Sequence, residues 1–375
     1  MKDEKEQQRR QSSHKSSFTS SSSRTEFDFI NEIRRRAGRR DPAIRDGAGS
    51  SIIPHPSSLS CGIGDDAAVI KQSTGRDTVV TTDLLVEEID FRRDATQPRL
   101  LGHKALAVSL SDVASMGARP RWALLSIGAP QDIWDSTFLD EFYEGLFTLA
   151  DRYDVRLIGG DVSRTPEKIV IDSIALGECA SGQATLRSGA KPGDHIFVTG
   201  SLGGSAAALR LIERGARIGK EVADEPEWHS IQKLLLRHLR PEPRVGWGLV
   251  LGQERLPNAM IDVSDGLSSD LRHLCCESKV GAVIQSASIP VDTRLAELCG
   301  RRALDPLMLA LHGGEDFELL FTVAPENVTK LPKKVDGVSL THIGEIRQAS
   351  EGVRIAEGSH VWDLRPGGWE HFKKG

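Results

Sequence analysis

The sequence predicts an α/β protein, with a mixed α+β arrangement, built from two domains behind a disordered tail. At 375 residues the chain exceeds one domain of ordinary size, and each half is long enough to bury its own core. Strand-like and helix-like segments alternate through the first half, and a Lys-Pro-Gly-Asp turn at 191–194 precedes a second series. We therefore expect a disordered tail over residues 1–25, an N-terminal α/β domain over 26–185 and a C-terminal α/β domain over 186–375.

The composition is typical of a soluble globular protein. Apolar residues make up 39% of the chain and charged residues 27%, and no long uncharged apolar segment occurs, so we predict no membrane partner. A net charge of −5 argues against a nucleic-acid partner. The five cysteines are scattered without a C-x-x-C pair, which favours a reducing cytoplasmic location. The tail is rich in serine and mixes both charge signs, which indicates disorder rather than a targeting signal.

The first half alternates helices and strands. FDFINEIRRRAG at 27–38 has helical apolar spacing and ends in glycine, and a β-rich run follows from Thr78 to Leu85. GHKALAVSLSDVASMGARP also has helical spacing, and Gly117 and Pro120 end it. The remaining predictions are a strand in WALLSIGAP, a helix in STFLDEFYEGLFTLADRYD, and strands in VRLIGGD and KIVIDSIALGE.

The second half is predicted to be mixed as well. It contains candidate strands HIFVTG, AMIDV, GAVIQS and FELLFTV, and candidate helices GGSAAALRLIERG, SIQKLLLRHL and LSSDLRHLCCE. Because their order is not a clean strand–helix–strand repeat, this half is open to an α+β arrangement.

Aspartates recur at predicted strand ends and helix starts beside glycine, serine or threonine. The set is Asp65, Asp66, Asp83, Asp112, Asp161, Asp262 and Asp265. Their mutual repulsion is relieved if they converge on divalent cations, with hydroxyls such as Thr81, Thr82 and Ser264 as further oxygen ligands. Cations held in this way usually present a triphosphate for transfer. For Asp262 and Asp265 the alternative is a turn or helix-capping role.

Other nucleotide motifs are missing or weak. The chain has neither a P-loop nor a complete dinucleotide-binding glycine fingerprint. TGSLGGSAAAL offers amides at a helix start that phosphate can occupy, although the glycines can also serve only the turn. Arg187 lies in a predicted loop, where a guanidinium is able to hold phosphate with two hydrogen bonds or simply to face solvent.

The full set of motifs resembles the thiamine-monophosphate kinase family. The matching segments, in order from about Phe27 to the C-terminus, are GIGDDAAVI, TTDLLVEEIDF, ALAVSLSDVASMGARP, LIGGDVSRT, RSGAKPGDHIFVTG, RHLRPEPR, IDVSDGLSSDL and GGEDFELLFTV. The resemblance implies the two-domain fold of the aminoimidazole ribonucleotide synthetase superfamily (PurM-like). It also implies a homodimer that pairs its N-terminal sheets, with ATP bound in a cleft between the two domains.

The resemblance implies an ATP-dependent phosphorylation of thiamine monophosphate to thiamine diphosphate by direct in-line transfer. The implied magnesium ligands are Asp65, Asp66, Thr81, Thr82, Asp83, Asp112, Asp161, Asp262 and Asp265. The implied ATP contacts are Gly160, Asp161, Arg187 and Ser264, and the implied catalytic residues are Asp66, Asp112, Arg187 and Asp262. Asp90, Glu315 and Trp369 fall where the family binds the substrate, although Asp90 replaces a histidine common at that place.

The expected chemistry needs no general base, because the acceptor phosphate is already ionised near neutral pH. Two alternatives remain open. The chain can be a related ATP-dependent synthetase that acts through a phosphorylated intermediate, or a nucleotide- and metal-binding module without catalysis.

Overall fold

The first sheet is formed by six strands of the N-terminal half. The computed structural model describes residues 59–61, 65–72, 75–219, 227–295, 298 and 304–368, so the predicted tail, the predicted helix at 27–38 and Trp369 lie outside the described residues. The strands are β1 (Leu59–Cys61), β2 (Ala68–Lys71), β3 (Arg76–Val86), β4 (Arg119–Ala129), β5 (Arg156–Arg164) and β6 (Val170–Ala180). Their order is β1-β2-β3-β6-β4-β5, with only the β4–β5 pair parallel.

Helices cover one face of this sheet. They are α1 (Pro98–Ser115), the short α2 (Gln131–Trp134) and α3 (Phe138–Arg152). Side chains of β3 alternate between the two faces of the sheet, so Val79, Thr81 and Leu85 are buried beneath the helices whereas Thr82 and Leu84 are exposed on the other face. The buried face of the sheet and the helix α1 therefore meet at the middle of β3.

The second sheet contains eight strands of the C-terminal half. These strands are β7 (His195–Thr199), β8 (Pro257–Asp262), β9 (Gly281–Gln285), β10 (Leu319–Val323), β11 (Lys334–Val335), β12 (Val338–Arg347), β13 (Val353–Glu357) and β14 (His360–Asp363). The order is β14-β13-β9-β12-β7-β10-β8, and β11 pairs with β12. The strand β8 thus forms one edge, and its last residue is Asp262.

The helices of this half are α4 (Gly204–Glu213), α5 (Trp228–Leu239), α6 (Val245–Glu254), α7 (Leu267–Ser278) and α8 (Pro306–His312). Among the helices that the structure describes, none combines the length and the apolar character that crossing a bilayer requires.

The helix α6 packs its backbone directly against α1 and so joins the two halves. A Cβ atom added at Gly248 would lie 2.3 Å from the carbonyl oxygen of Ala114, and one at Gly252 would lie 2.3 Å from that of Gly117. Only glycine permits this approach. One apolar core therefore continues from α1 to Trp247 of α6 and to Phe321 of the second sheet.

The structure confirms the α/β class and every strand and helix predicted between Thr78 and Val323, with shifted ends. It adds α2, α6, α8 and the strands β1, β2 and β11–β14, which were not predicted. The first sheet is mostly antiparallel although its strands alternate with helices along the chain. The domain boundary at 185/186 stays a prediction.

Candidate active site

Three carboxylates from distant parts of the chain meet in one place. Asp66 precedes β2, Asp112 lies in the last turn of α1, and Asp262 ends β8. An oxygen of each lies within 4.8 Å of an oxygen of the other two. Asp66 is 9% exposed and Asp262 is 1% exposed. The packing of α1 between the two sheets brings these acids together, because α1 contacts both β3 and β8.

The helix α1 supplies a hydroxyl to each of three neighbouring acids. Ser109 donates to Asp83 at 2.7 Å, Ser111 donates to Asp262 at 2.6 Å, and Ser115 donates to Asp66 at 2.8 Å. All three serines are fully buried. Asp112 accepts from the hydroxyl of Thr81 on β3. Neutral donors therefore hold the carboxylates in place but leave most of their negative charge uncompensated.

The adjacent Asp65 and Asp66 have different partners. Both oxygens of Asp65 accept from backbone amides, one from Asp66 at 3.0 Å and the other from Arg187 at 3.1 Å. Asp66 instead forms an ion pair with the guanidinium of Arg187. Although burial opposes its charge, Asp66 raises the pKa of Arg187 above its ordinary value. The two adjacent carboxylates therefore face different donors.

The electrostatics of the acids reflect crowding as well as burial. Burial, then Asp66, raises the pKa of Asp262 to about 8 and that of Asp65 to about 7. Burial raises the pKa of Asp83 to about 6, and burial followed by Asp83 holds the pKa of Asp112 well above its usual range. Raised values in a cluster of acids indicate more negative charge than Arg187 alone compensates.

Two predicted ligands lie apart from this group. Thr82 is exposed on the opposite face of β3, where its hydroxyl donates to Asp172 at 2.6 Å. Asp161 is exposed on the edge strand β5. Its neighbour Gly160 has φ +153°, and a Cβ atom there would lie 1.9 Å from the carbonyl oxygen of Leu125, so packing alone requires this glycine. The structure therefore brings together Asp66, Thr81, Asp83, Asp112, Arg187 and Asp262 but does not bring Thr82 or Asp161 to them.

Asp265 belongs to a second group with Asp270 and His273. The carboxylate of Asp270 accepts from the amides of Asp265 and Gly266 at the start of α7. Gly266 is the residue that caps α7, and it offers no side-chain cap. A carboxylate that binds the amides at this helix start is therefore that of Asp270.

The loop that carries Glu315 lies beside the loop that carries Ser264. The amide of Glu315 donates to the carbonyl of Ser264 at 2.7 Å, and Phe317 donates to Val263 at 2.8 Å. The Glu315 carboxylate contacts Lys104 at 2.8 Å and His238 at 2.9 Å. The predicted substrate residue thus lies directly beside the chain segment that follows Asp262.

Asp90 has a local role in its turn. Its carboxylate accepts from the amide of Val86 at 2.8 Å, and its carbonyl oxygen accepts from Lys104 at 3.3 Å. Glu88, in the same turn, has φ +75°. At least one carboxylate oxygen of Asp90 is therefore engaged by the backbone.

The glycine-rich start of α4 is occupied by an internal carboxylate. Asp316 accepts from the amides of Gly203 at 2.6 Å and Ser205 at 3.1 Å. Two of the amides expected to meet phosphate therefore already have an anionic acceptor, and phosphate binding at this helix start stays a prediction.

Sequence reasoning missed Ser109, Ser111, Ser115, Lys104 and His238. The signal available for the serines was their position close to Asp112 in a helix with many apolar residues. Lys104 and His238 carried no such signal, because nothing local shows that their partner lies in the GGEDF segment.

Comparisons with known proteins agree with this architecture. Residues 64–179 match the family model "AIR synthase related protein, N-terminal domain", and residues 191–356 match "AIR synthase related protein, C-terminal domain". The thiamine-monophosphate kinase of Escherichia coli (strain K12) is 40% identical over 319 residues, which cover 84% of this chain and 92% of that protein. The enzyme of the same name from Bacillus subtilis (strain 168) is 37% identical over 331 residues, covering 86% and 98%.

A solved structure described as "AaThiL complexed with AMPPCP and TMP" superposes with a TM-score of 0.77 at 31% identity, covering 95% of this chain and 100% of that one. Sequence and fold therefore agree over nearly the whole length of these relatives. The chain belongs to the thiamine-monophosphate kinase family, within the AIR synthase related proteins.

Proposed function

We propose that this protein transfers the γ-phosphoryl group of ATP to thiamine monophosphate, giving thiamine diphosphate by direct in-line transfer. The observation that carries the proposal is the meeting of Asp66 and Asp112 with Asp262 in one group, since the acids come from both halves of the chain. Membership of the family, together with the relative solved with AMPPCP and TMP, supports this choice of substrates.

The acids fit a hard divalent cation, and we infer magnesium. The group offers carboxylate oxygens without nitrogen or sulfur ligands, and the pKa values of Asp112 and Asp262 are raised by burial and by neighbouring acids. Magnesium and calcium prefer such oxygens. Asp66, Asp112 and Asp262 would hold the cation, with Thr81 and Asp83 beside them. A bound magnesium ion would supply neutralisation of the charge on the phosphoryl groups.

Arg187 supplies the protein's own positive charge to the same place. Its guanidinium contacts Asp66, and its backbone amide contacts Asp65. In the nucleotide complex the guanidinium turns to phosphate oxygens, whose geometry it matches with two hydrogen bonds. Ser264 lies on the adjacent loop as a further nucleotide contact. Roles for Gly160 and Asp161 stay predictions.

The acceptor is the phosphate of thiamine monophosphate, which is ionised near neutral pH, so no side chain has to remove a proton. Catalysis then consists of positioning the two phosphates and compensating their charge. Glu315, beside Ser264, accepts hydrogen bonds from the aminopyrimidine ring. Because Glu315 lies next to the loop that follows Asp262, it orients the bound thiamine monophosphate relative to the metal-binding acids.

The first sheet pairs with a second copy of the chain. Its outward face carries the apolar row of Val80, Leu176 and Trp122, beside a second row that includes Ile174 and Leu124. Leu84 on the same face is 59% exposed. No described element of the chain covers this face. An apolar face of this kind is typical of a dimer interface. We also place the protein in the cytoplasm, consistent with the free thiols among the described cysteines.

The testing experiment is incubation with ATP and thiamine monophosphate, with and without magnesium, followed by chromatography of the thiamine phosphates. We expect thiamine diphosphate and ADP in equal amounts, only when magnesium is present. Asp112→Asn should abolish the product, whereas Asp151→Asn on the exposed side of α3 should not. ADP without thiamine diphosphate would favour the synthetase alternative, and nucleotide-dependent thermal stabilisation without any product would favour the binding module.

A further inference from the structure

A buried lysine joins the two loops that carry the predicted substrate residues. The side chain of Lys104, in α1, is 1% exposed. Its ammonium group contacts the two carboxylate oxygens of Glu315 at 2.8 and 3.0 Å, and it donates to the carbonyl oxygen of Asp90 at 3.3 Å. A fully buried lysine is uncommon and needs compensation by an anion. Here a single ammonium group ties an N-terminal turn to a C-terminal loop.

Glu315 is held from other directions as well. His238, on α5, contacts Glu315 at 2.9 Å and Ser205 of α4 at 3.1 Å. The Glu315 backbone has φ +62°, which is unfavourable for a residue other than glycine. The Glu315 side chain remains 29% exposed. Lys104 and His238 thus fix the carboxylate, while part of the Glu315 side chain is exposed.

The charges around Glu315 favour its ionised form. Although burial favours the neutral acid, Lys104 and then His238 lower the pKa of Glu315 to about 2. Burial, then Lys104, lowers the pKa of His238. Lys104 is therefore the principal cation opposite Glu315, and His238 serves mainly as a hydrogen-bonding partner.

We infer that Lys104 is a positioning residue for the substrate: it acts through Glu315, orienting that carboxylate toward the thiamine moiety and fixing the Asp90 turn beside it. The inference rests on the proposed function. A carboxylate that is ionised and held in one rotamer accepts the aminopyrimidine hydrogen bonds without first losing conformational freedom. Without Lys104, the buried side of Glu315 loses its charged donor, and the carboxylate can turn away from the substrate.

The test is a double-mutant cycle with Lys104→Met and Glu315→Gln, measured as steady-state kinetics with thiamine monophosphate and ATP varied separately. Lys104→Met should raise KM for thiamine monophosphate by about 10- to 100-fold, as expected for losing a hydrogen bond to a charged group. It should leave kcat and KM for ATP within about twofold of the wild-type values. In the Glu315→Gln background, Lys104→Met should add less than about threefold, because both changes remove one interaction.

The matched control is His103→Gln, at the neighbouring buried position of the same helix. His103 contacts the carbonyl oxygen of Pro241 at 2.8 Å and does not touch Glu315. The KM of the His103→Gln variant for thiamine monophosphate should therefore stay within about twofold of the wild-type value. If Lys104→Met does not unfold cooperatively on heating, Lys104→Gln takes its place in the cycle.

The outcomes separate the inference from the proposed function. A wild-type protein that makes no thiamine diphosphate overturns the proposed function and the inference together. An active wild-type protein with an unchanged KM in the Lys104 variant overturns the inference alone. The inference would also be overturned if the increases in KM of the two single variants multiplied in the double variant, because Lys104 would then act independently of Glu315.

Discussion

Replacing Asp262 by asparagine should stabilise the protein in the absence of divalent cations while abolishing its activity. The Asp262 side chain is 1% exposed, and burial and Asp66 raise its pKa to about 8 from an ordinary value of 3.8. Asparagine has nearly the same shape and keeps an oxygen that can accept from Ser111. It removes the charge that the metal-free site disfavours.

The magnitude follows from linkage between protonation and folding. The folded state binds the Asp262 proton more tightly than the unfolded state, so this stabilisation is complete below about pH 4 and is lost as the pH rises toward 8. At pH 8 the loss is at most ~5 kcal/mol, at about 1.4 kcal/mol per pH unit. Because the acids titrate as a group, we expect about half of this, ~2.5 kcal/mol, or roughly 4 °C in Tm.

The assay is thermal unfolding in EDTA at pH 5 and pH 8. The Tm of Asp262→Asn should exceed that of the wild type by roughly 4 °C at pH 8 and by less than half of this at pH 5. A matched control is Asp77→Asn. The buried Asp77 accepts from Ser181 at 2.9 Å and Gly182 at 2.8 Å, so its replacement should lower the Tm at both pH values. A variant at Asp262 that is less stable than the wild type at pH 8, or whose advantage grows toward pH 5, would refute this reasoning.

Three further predictions concern the same molecule. Arg187→Gln should strengthen binding of Mn²⁺ alone by about 3- to 10-fold in calorimetry, because the guanidinium no longer competes with the metal for Asp66. The same variant should bind metal–ATP more weakly. An unchanged Mn²⁺ affinity would count against this competition. Ile174→Lys should convert a dimer into a monomer by light scattering, and a monomeric wild type would remove the proposed interface. Magnesium should raise the wild-type Tm more at pH 8 than at pH 5, because the folded acids then bind fewer competing protons; equal shifts would contradict proton–metal competition.

The helices, the strands and the main acids of the site could be predicted from local sequence patterns. Asp112 was found as one of the aspartates that recur beside glycine, serine or threonine, and the structure places it beside two others of that set, Asp66 and Asp262. The elements of the first half have clear apolar periodicity and clear ends. The helix α6 was missed because Gly246, Gly248 and Gly252 lower its helix propensity. The reason for two of them is visible only in the folded chain, where Gly248 packs on Ala114 of α1 and Gly252 on Gly117 just after it.

Other features depend on tertiary structure that no local pattern encodes. Nothing in the local sequence shows which of the adjacent residues Thr81 and Thr82 faces the acids. The packing of α1 on one face of β3 decides it, because Thr81 then contacts Asp112 and Thr82 contacts Asp172. The separate partners of Asp65 and Asp66 depend on Arg187, more than a hundred residues away. In the sequence Lys104 is an ordinary helical lysine, and only the folded structure shows that it contacts Glu315 and is buried.

The central claim is that acids from both halves jointly hold the cation that presents the nucleotide. Calorimetric titration of AMPPCP into the wild type, Asp66→Asn and Asp262→Asn, with magnesium and with EDTA, tests it most directly. We expect magnesium-dependent binding in the wild type and at least a tenfold loss in each variant. Magnesium-dependent binding of wild-type strength in either variant would contradict the claim, because one half would then suffice.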